Sequence, residues 1–296
     1  MIRIENLHKR FRRHDAIRGI SFTVPEGSAY ALIGANGAGK TTTLKILMNI
    51  LQPTSGAVTL LGVDSRRITP RELNRIGYVS ENQQMPERLT VDQYFAYLRP
   101  FYQRWDRQLE ASLRAQLRLP ASRRIGELSH GMRMKMALAC ALPFRPGVLI
   151  LDEPFSGLDP LVRDEFMDGV LGQAGETTIL ISTHELGEIE GVATHVAFLE
   201  EGRLLFDEPM DQLRERFRAV RIVFDHPAPL PQQPPPDWFH LAAAGNTLEF
   251  IDAQFSARDS HQRLNARFHG IRSIDAEPVP LRTIFTSLAR AVRSAA

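Results

Sequence analysis

A chain of 296 residues holds one large domain or two modest ones and can bury a sizeable core, which excludes a zinc-finger peptide or a disulfide knot. With 43% hydrophobic and 24% charged residues it has an ordinary globular composition, and a formal charge of +2 is too small to argue for a nucleic-acid partner. The most apolar stretch, Met136 to Leu151, is broken by Pro143, Arg145, Pro146 and Gly147, so nothing reaches the roughly 18 apolar residues of a spanning helix. The opening MIRIENLHKRF lacks the apolar run of a secretory signal and Cys140 is the sole cysteine, so the cytoplasm is the expected compartment.

In chain order, a strand is expected near Ala29 to Ile33, then the glycine-rich stretch GANGAGKT (Gly34 to Thr41), then an apolar-periodic helix through about Leu51. From Thr90 to Leu142 the pattern is helical, with Trp105, Leu109, Leu113 and Leu117 spaced four apart. Arginines are dense from Arg99 to Arg124, as on a solvated helix face. The short apolar runs at Val148–Leu151, Thr177–Ile181 and His195–Leu199 read as buried parallel strands, and the last continues through EEG into RLLF as a hairpin. HPAPLPQQPPPDW, from His226, reads as a semi-rigid connector, with a boundary there or slightly earlier. Beyond it, strands are expected at Leu248–Ile251 and Ile271–Ala276, and helices at Gln254–Phe268 and Leu281–Val292.

GANGAGKT fits the pattern G-x-x-x-x-G-K-[ST], in which glycines let backbone N–H groups turn inward around phosphate oxygens at the positive end of the next helix. Lys40 would reach the outer phosphates and Thr41 would bind magnesium. The run VLILD supplies a second oxygen ligand in Asp152, at the strand end where open α/β sheets bind ligands. Glu153 beside it could polarise a water for in-line attack on a γ-phosphate, which makes it the general-base candidate. None of Lys9, Lys40, Lys45 and Lys135 follows an asparagine, so the Asn-Lys-x-Asp motif of guanine-specific switches is missing.

Read as a set, GANGAGKT, LSHGM (Leu128–Met132), VLILDEP (Val148–Pro154), SGLD (Ser156–Asp159) and STH (Ser182–His184) stand in the order that resembles the ATPase subunit of an ABC transporter, over about Met1 to Arg216. The resemblance implies a P-loop NTPase (RecA-like) α/β core with a helical subdomain over about 85–143 and an antiparallel β part, the cassette ending near 217. A connector over 218–240 and a small α+β domain over 241–296 would follow. The ATP-binding set becomes Phe11, stacking on adenine, with Gly34, Asn36, Gly37, Gly39, Lys40, Thr41 and Thr42. Ser129 and Gly131 would hold the γ-phosphate of a second subunit's ATP, so two cassettes, identical or paired, close over two ATP molecules with Mg2+. His184 would orient the attacking water beside Glu153, and Asp159 would tie the two sites together.

Three positions depart from the family pattern. His130 and Met132 replace a glycine and a glutamine of the signature motif, and in IGYVSEN the glutamine that usually joins the metal site to the membrane partner is Glu81, with Gln83 and Gln84 close by. Glu81 could offer oxygen to magnesium but brings negative charge near the triphosphate. The segment EPVPLRTIF (Glu277–Phe285) resembles the close of ATPases serving ABC-2 type exporters. The implied activity is ATP hydrolysis driving a separate integral-membrane permease, an exporter, from the cytoplasmic face of the membrane. The alternative, a soluble ABC ATPase on ribosomes or DNA, is disfavoured by the single cassette and the short helical insertion.

Overall fold

The computed structural model describes residues 1–172, 176–256 and 258–295, which fall into two units, Met1–Asp207 and Glu208–Ala296. Among the described residues no helix is long and apolar enough to cross a membrane.

The first unit opens with β1 (Ile2–Phe11) and β2 (His14–Val24), an antiparallel pair whose alternating Ile2, Ile4, Ile20, Phe22 and Val24 turn to one side. β3 (Ala29–Ile33) is buried along its whole length and leads into α1 (Lys40–Leu47). α1 stops short of Leu51 because Asn49 takes a left-handed φ of 57°, a conformation that ends helices. Next come β4 (Ser55–Leu60), β5 (Val63–Asp64), α2 (Pro70–Leu73) and β6 (Ile76–Ser80). β2, β1, β4 and β5, in that order, make an antiparallel sheet. Its inner face shares one core with Tyr30, Leu32, Leu44, Leu47, Ile150 and Leu180, so α1 is fixed by apolar burial rather than by a side-chain cap.

The helical stretch follows as α3 (Val91–Leu98), α4 (Arg107–Gln116) and α5 (His130–Ala141). It is interrupted because Pro100 and the Asp106 cap end one helix and start the next, and Arg118, at φ 52°, closes α4 before Pro120. Trp105 therefore lies outside the helix it was expected to share with Leu109 and Leu113, and its indole N–H donates to Glu110 at 2.7 Å. Two arginines of the run are inward partners rather than a solvated face: Arg99 at 2.7 Å and Arg114 at 3.2 Å meet the buried Glu110 carboxylate. Cys140 is buried on α5.

β7 (Val148–Asp152), α6 (Pro160–Leu171), β8 (Thr178–Thr183), β9 (His195–Glu200) and β10 (Arg203–Pro209) complete the second sheet, in the order β10-β9-β3-β8-β7-β6. β9, β3, β8, β7 and β6 run parallel, so the ends that follow β3, β6, β7 and β8 share one edge. Glu201 and Gly202, both at positive φ, make the expected tight turn between β9 and β10.

The second unit begins at Glu208, earlier than the boundary near 217 read from the sequence. α7 (Met210–Arg216) leads into β11 (Arg218–Phe224), followed by β12 (Trp238–Ala244), β13 (Thr247–Asp252), α8 (Ser260–Arg267), β14 (Ile271–Pro278) and α9 (Leu281–Ala295). The connector expected over 218–240 is shorter, because Arg218–Phe224 alternates buried and open side chains and runs inside the sheet β12-β13-β11-β14. α8 is also shorter than the expected Gln254–Phe268: the Asp252 carboxylate accepts from the Gln254 N–H at 2.9 Å and holds that stretch in a turn. Val220, Ile222, Phe224, Leu248, Phe250, Leu264 and Phe268 form this unit's apolar core.

Candidate functional site at the parallel sheet edge

The chain leaves β3 through Gly34 and re-enters helix at Lys40. A side chain at Gly34 would put its Cβ 2.2 Å from the Leu199 carbonyl oxygen. At Gly39, where φ is +108°, the same atom would meet the Ala16 oxygen at 2.7 Å. The β9–β10 turn braces this loop from outside, since the Gly202 N–H donates to the Ala38 carbonyl at 3.1 Å. α1 thus presents its N-terminal backbone N–H groups and positive dipole end to the cleft.

Lys40 is 5% exposed, and its ammonium donates to the Gly34 and Ala35 carbonyls at 2.6 and 3.2 Å while pairing with Glu153 Oε1 at 2.9 Å. The other Glu153 oxygen lies 2.8 Å from His184 Nδ1. Glu153 has a left-handed φ of 49°, and its N–H donates to the Ser182 carbonyl and hydroxyl, each at 3.1 Å. Those bonds hold a backbone geometry that a non-glycine residue rarely adopts.

Asp152, next to it, is almost fully buried and accepts from Thr41 Oγ1 at 3.0 Å and from Ser182 Oγ at 2.7 Å. Burial, with the neighbouring Glu153 charge, pushes its pKa above the usual range, although the two hydroxyls oppose the shift. Buried hydroxyl and carboxylate oxygens in contact are hard donors, and magnesium typically takes one or two protein oxygens and completes its shell with phosphate and water. Thr41 and Asp152 therefore fit that ion, which lowers the cost of burying Asp152 as a carboxylate.

A cleft of about 470 Å³ gathers Phe11, Asn36, Gly37, Gly39, Lys40, Thr41, Thr42, Glu81 and Glu153, together with His14 and Ala16, which sequence reasoning had not singled out. Phe11 is 42% exposed, with the Lys9 ammonium 4.8 Å from its ring centroid, so a π face is available at the cleft mouth. Of the three residues weighed for one role, Glu81 lines both this cleft and a neighbouring groove, whereas Gln83 and Gln84 line only the groove, and among the described residues the Gln83 Oε1 is buried without a partner. Ser182 was quoted only as part of Ser-Thr-His. Its position at the end of a buried strand, beside the strand bearing Asp152, was the available signal.

Ser129, Gly131 and Asp159 do not line the cleft. Ser129 caps α5, accepting from the Met132 N–H at 3.2 Å, and Asp159 caps α6, accepting from the Val162 N–H at 3.0 Å. A Cβ at Gly131 would lie 3.1 Å from Val162 Cγ1, so the starts of the two helices are packed together. The α5 start carries a neutral Ser129 cap, whereas the α6 start holds the Asp159 carboxylate and Pro160, which has no N–H, so of the two only α5 suits an anion brought by another molecule.

A family model described as ABC transporter matches residues 17–156. The Nod factor export ATP-binding protein I of Burkholderia lata is 34% identical over 260 residues, 83% of this chain and 84% of that protein. A sulfate/thiosulfate import ATP-binding protein of Burkholderia mallei is 35% identical over 239 residues, 76% of this chain and 64% of the relative. A solved structure of an ATP binding subunit of an ABC transporter superposes with a TM-score of 0.66 at 27% identity, covering 72% of this chain and 92% of its own. A glycine loop, a buried strand-end aspartate and a relative matched over most of its length converge: the chain belongs to the ABC transporter family, as one of its ATP-binding ATPase subunits.

Proposed function

We propose that the chain binds MgATP in the Phe11-to-Glu153 cleft, pairs with a second ABC cassette over two nucleotides, and uses the hydrolysis to drive a separate membrane permease in export. The observation that carries this is the Lys40–Glu153–His184 chain at the edge of the parallel sheet, with contacts of 2.9 and 2.8 Å. Lys40 is held where its charge compensates outer phosphates, and ATP would take over the ammonium that Glu153 now shares. Glu153, released from Lys40 but still anchored by His184, is then placed to accept a proton from the attacking water. Thr41 and Asp152 would hold Mg2+, with Glu81 as a further oxygen at the rim; bound magnesium supplies charge neutralisation on the phosphates.

Ser129 and Gly131 would complete the second subunit's phosphate site, with Asp159 at the contact between the two. The export reading draws support from the Nod factor export relative and from the Glu277–Phe285 segment, while the import relative is the observation on the other side. The membrane partner would hold the chain at the cytoplasmic face.

Glu153→Gln tests the core of this reading. The variant should keep ATP affinity, lose hydrolysis, and accumulate an ATP-bound dimer in size-exclusion chromatography. A variant that binds nucleotide normally but stays monomeric at every ATP concentration overturns the shared-interface mechanism. The membrane protein that co-purifies with the wild type, reconstituted in vesicles with substrate on either side, decides the direction.

A further inference from the structure

Ser156 is the one residue of the SGLD segment bonded on both sides to positions where this chain departs from its family pattern. Its hydroxyl donates to Glu81 Oε1 at 2.8 Å, across a sequence separation of 75 residues. Its carbonyl lies 3.0 Å from His130 Nε2. A carbonyl can only accept, so Nε2 carries the proton whatever the charge of the ring.

The two ends of this link have different surroundings. Glu81 follows β6, its N–H donates to the Asp152 carbonyl at 3.1 Å, and its side chain reaches the ATP cleft. His130 is the first residue of α5 and stands between Ser129 and Gly131. The intervening loop is tight: Ser156 N–H donates to the Glu153 carbonyl at 3.3 Å, Leu158 N–H to Phe155 at 3.0 Å, and Gly157 takes a φ of 68°. A glycine at position 130 would have no side chain to reach this loop, leaving the start of α5 to the Ser129 cap and the packing of its neighbours.

We infer that His130 is a positioning residue, and that Glu81, Ser156 and His130 form a serial link by which one subunit's own ATP cleft sets the pose of the α5 N-terminus it offers to the other subunit's nucleotide. This rests on the reading of Ser129 and Gly131 given above. Glu81 senses the cleft from its rim, Ser156 carries the displacement through a rigid turn, and His130 passes it to the α5 N-terminus. Because the bonds are in series, breaking either has the same consequence as breaking both.

The test uses the full chain and measures MgATP turnover against ATP concentration. His130→Ala and Ser156→Ala should each lower kcat about tenfold, reduce the Hill coefficient toward one, and leave the affinity for ATP of the separated subunit within about twofold. The double variant should be no slower than the worse single one, rather than about a hundredfold slower. His130→Gln, whose amide still donates to the Ser156 carbonyl, should recover most of the rate, which a loss of packing would not allow. Wild-type cooperativity in His130→Ala, multiplicative losses in the double variant, or a His130→Gln as slow as His130→Ala each overturn the link. Failure here beside an inactive, dimer-trapped Glu153→Gln removes the link alone, whereas a hydrolysing Glu153→Gln removes the site reading beneath it.

Discussion

The parallel sheet of the first unit and the antiparallel sheet of the second solve the burial problem in opposite ways. β3, β7 and β8 are buried from end to end, so polar residues gather at the strand ends and the loop beyond β3, where Asp152, Ser182, Thr183 and Lys40 are almost fully buried and bonded to one another or to backbone. The second unit alternates instead, and aromatic rings pack within its core: Trp238 stacks on Phe250 with ring centroids 3.8 Å apart, and Phe268 meets Phe224 edge-on at 5.6 Å. Burial on both faces gathers bonded polar groups at one edge, where the cleft lies. Burial on one face spreads polarity over the surface and makes a stable module.

Three substitutions can break or sharpen that contrast. Lys40→Ala should cut ATP turnover by at least about 100–1000-fold while thermal unfolding of the first unit changes little, because the lysine's partners are two loop carbonyls and the Glu153 carboxylate, which keeps its His184 contact. Undiminished turnover would show that the sheet edge is polar for structural reasons only.

Phe250→Ala should do the reverse. Removing a ring that is 3% exposed costs roughly 3–5 kcal/mol of the second unit's stability, readable in urea through Trp238 fluorescence, with turnover within about twofold of wild type. Turnover that falls in step with unfolding would mean the two units are not chemically separable.

The smallest effect sharpens the rule that buried charge in the first unit marks chemistry, for Glu110 is an exception to it. Burial raises its pKa, but hydrogen bonds from Arg99, Trp105 and Arg114 overcome that and hold it below the ordinary glutamate range. A depressed folded pKa contributes stability above the unfolded value, and that contribution is lost as pH falls through the folded one. Glu110→Gln should therefore destabilise the helical stretch by about 1–3 kcal/mol at neutral pH and flatten its acid-side decline, followed by circular dichroism, with ATP affinity unchanged. A change in ATP affinity would attach this cluster to the cleft.

Much of the cleft could be read from residue order because its chemistry is local: glycine spacing dictates the Gly34–Lys40 turn, and an apolar run ending in acid dictates Asp152. What escaped was pairwise. Neither the His130–Ser156 nor the Glu81–Ser156 bond leaves a trace in spacing, since each joins segments whose approach depends on the packing of other elements. In the second unit the alternation of RAVRIVF was visible, but adjacent prolines drew it into the connector, and β12 hid behind them because an edge strand has open side chains on both faces. The helical stretch misled for another reason: Trp105 keeps the four-residue spacing by coincidence and turns inward to an acceptor, not along a helix face.

Cys140 gives the chain a built-in clock. Its thiol is buried on α5 and its pKa is pushed far up by that burial, so a folded molecule offers an alkylating reagent almost no thiolate. Modification must wait for α5 to open, and the labelling rate at fixed reagent concentration counts openings of the helix that carries His130 and Gly131. Because there is no second cysteine to correct for, the same trace taken with and without nucleotide reports how firmly ATP holds that helix.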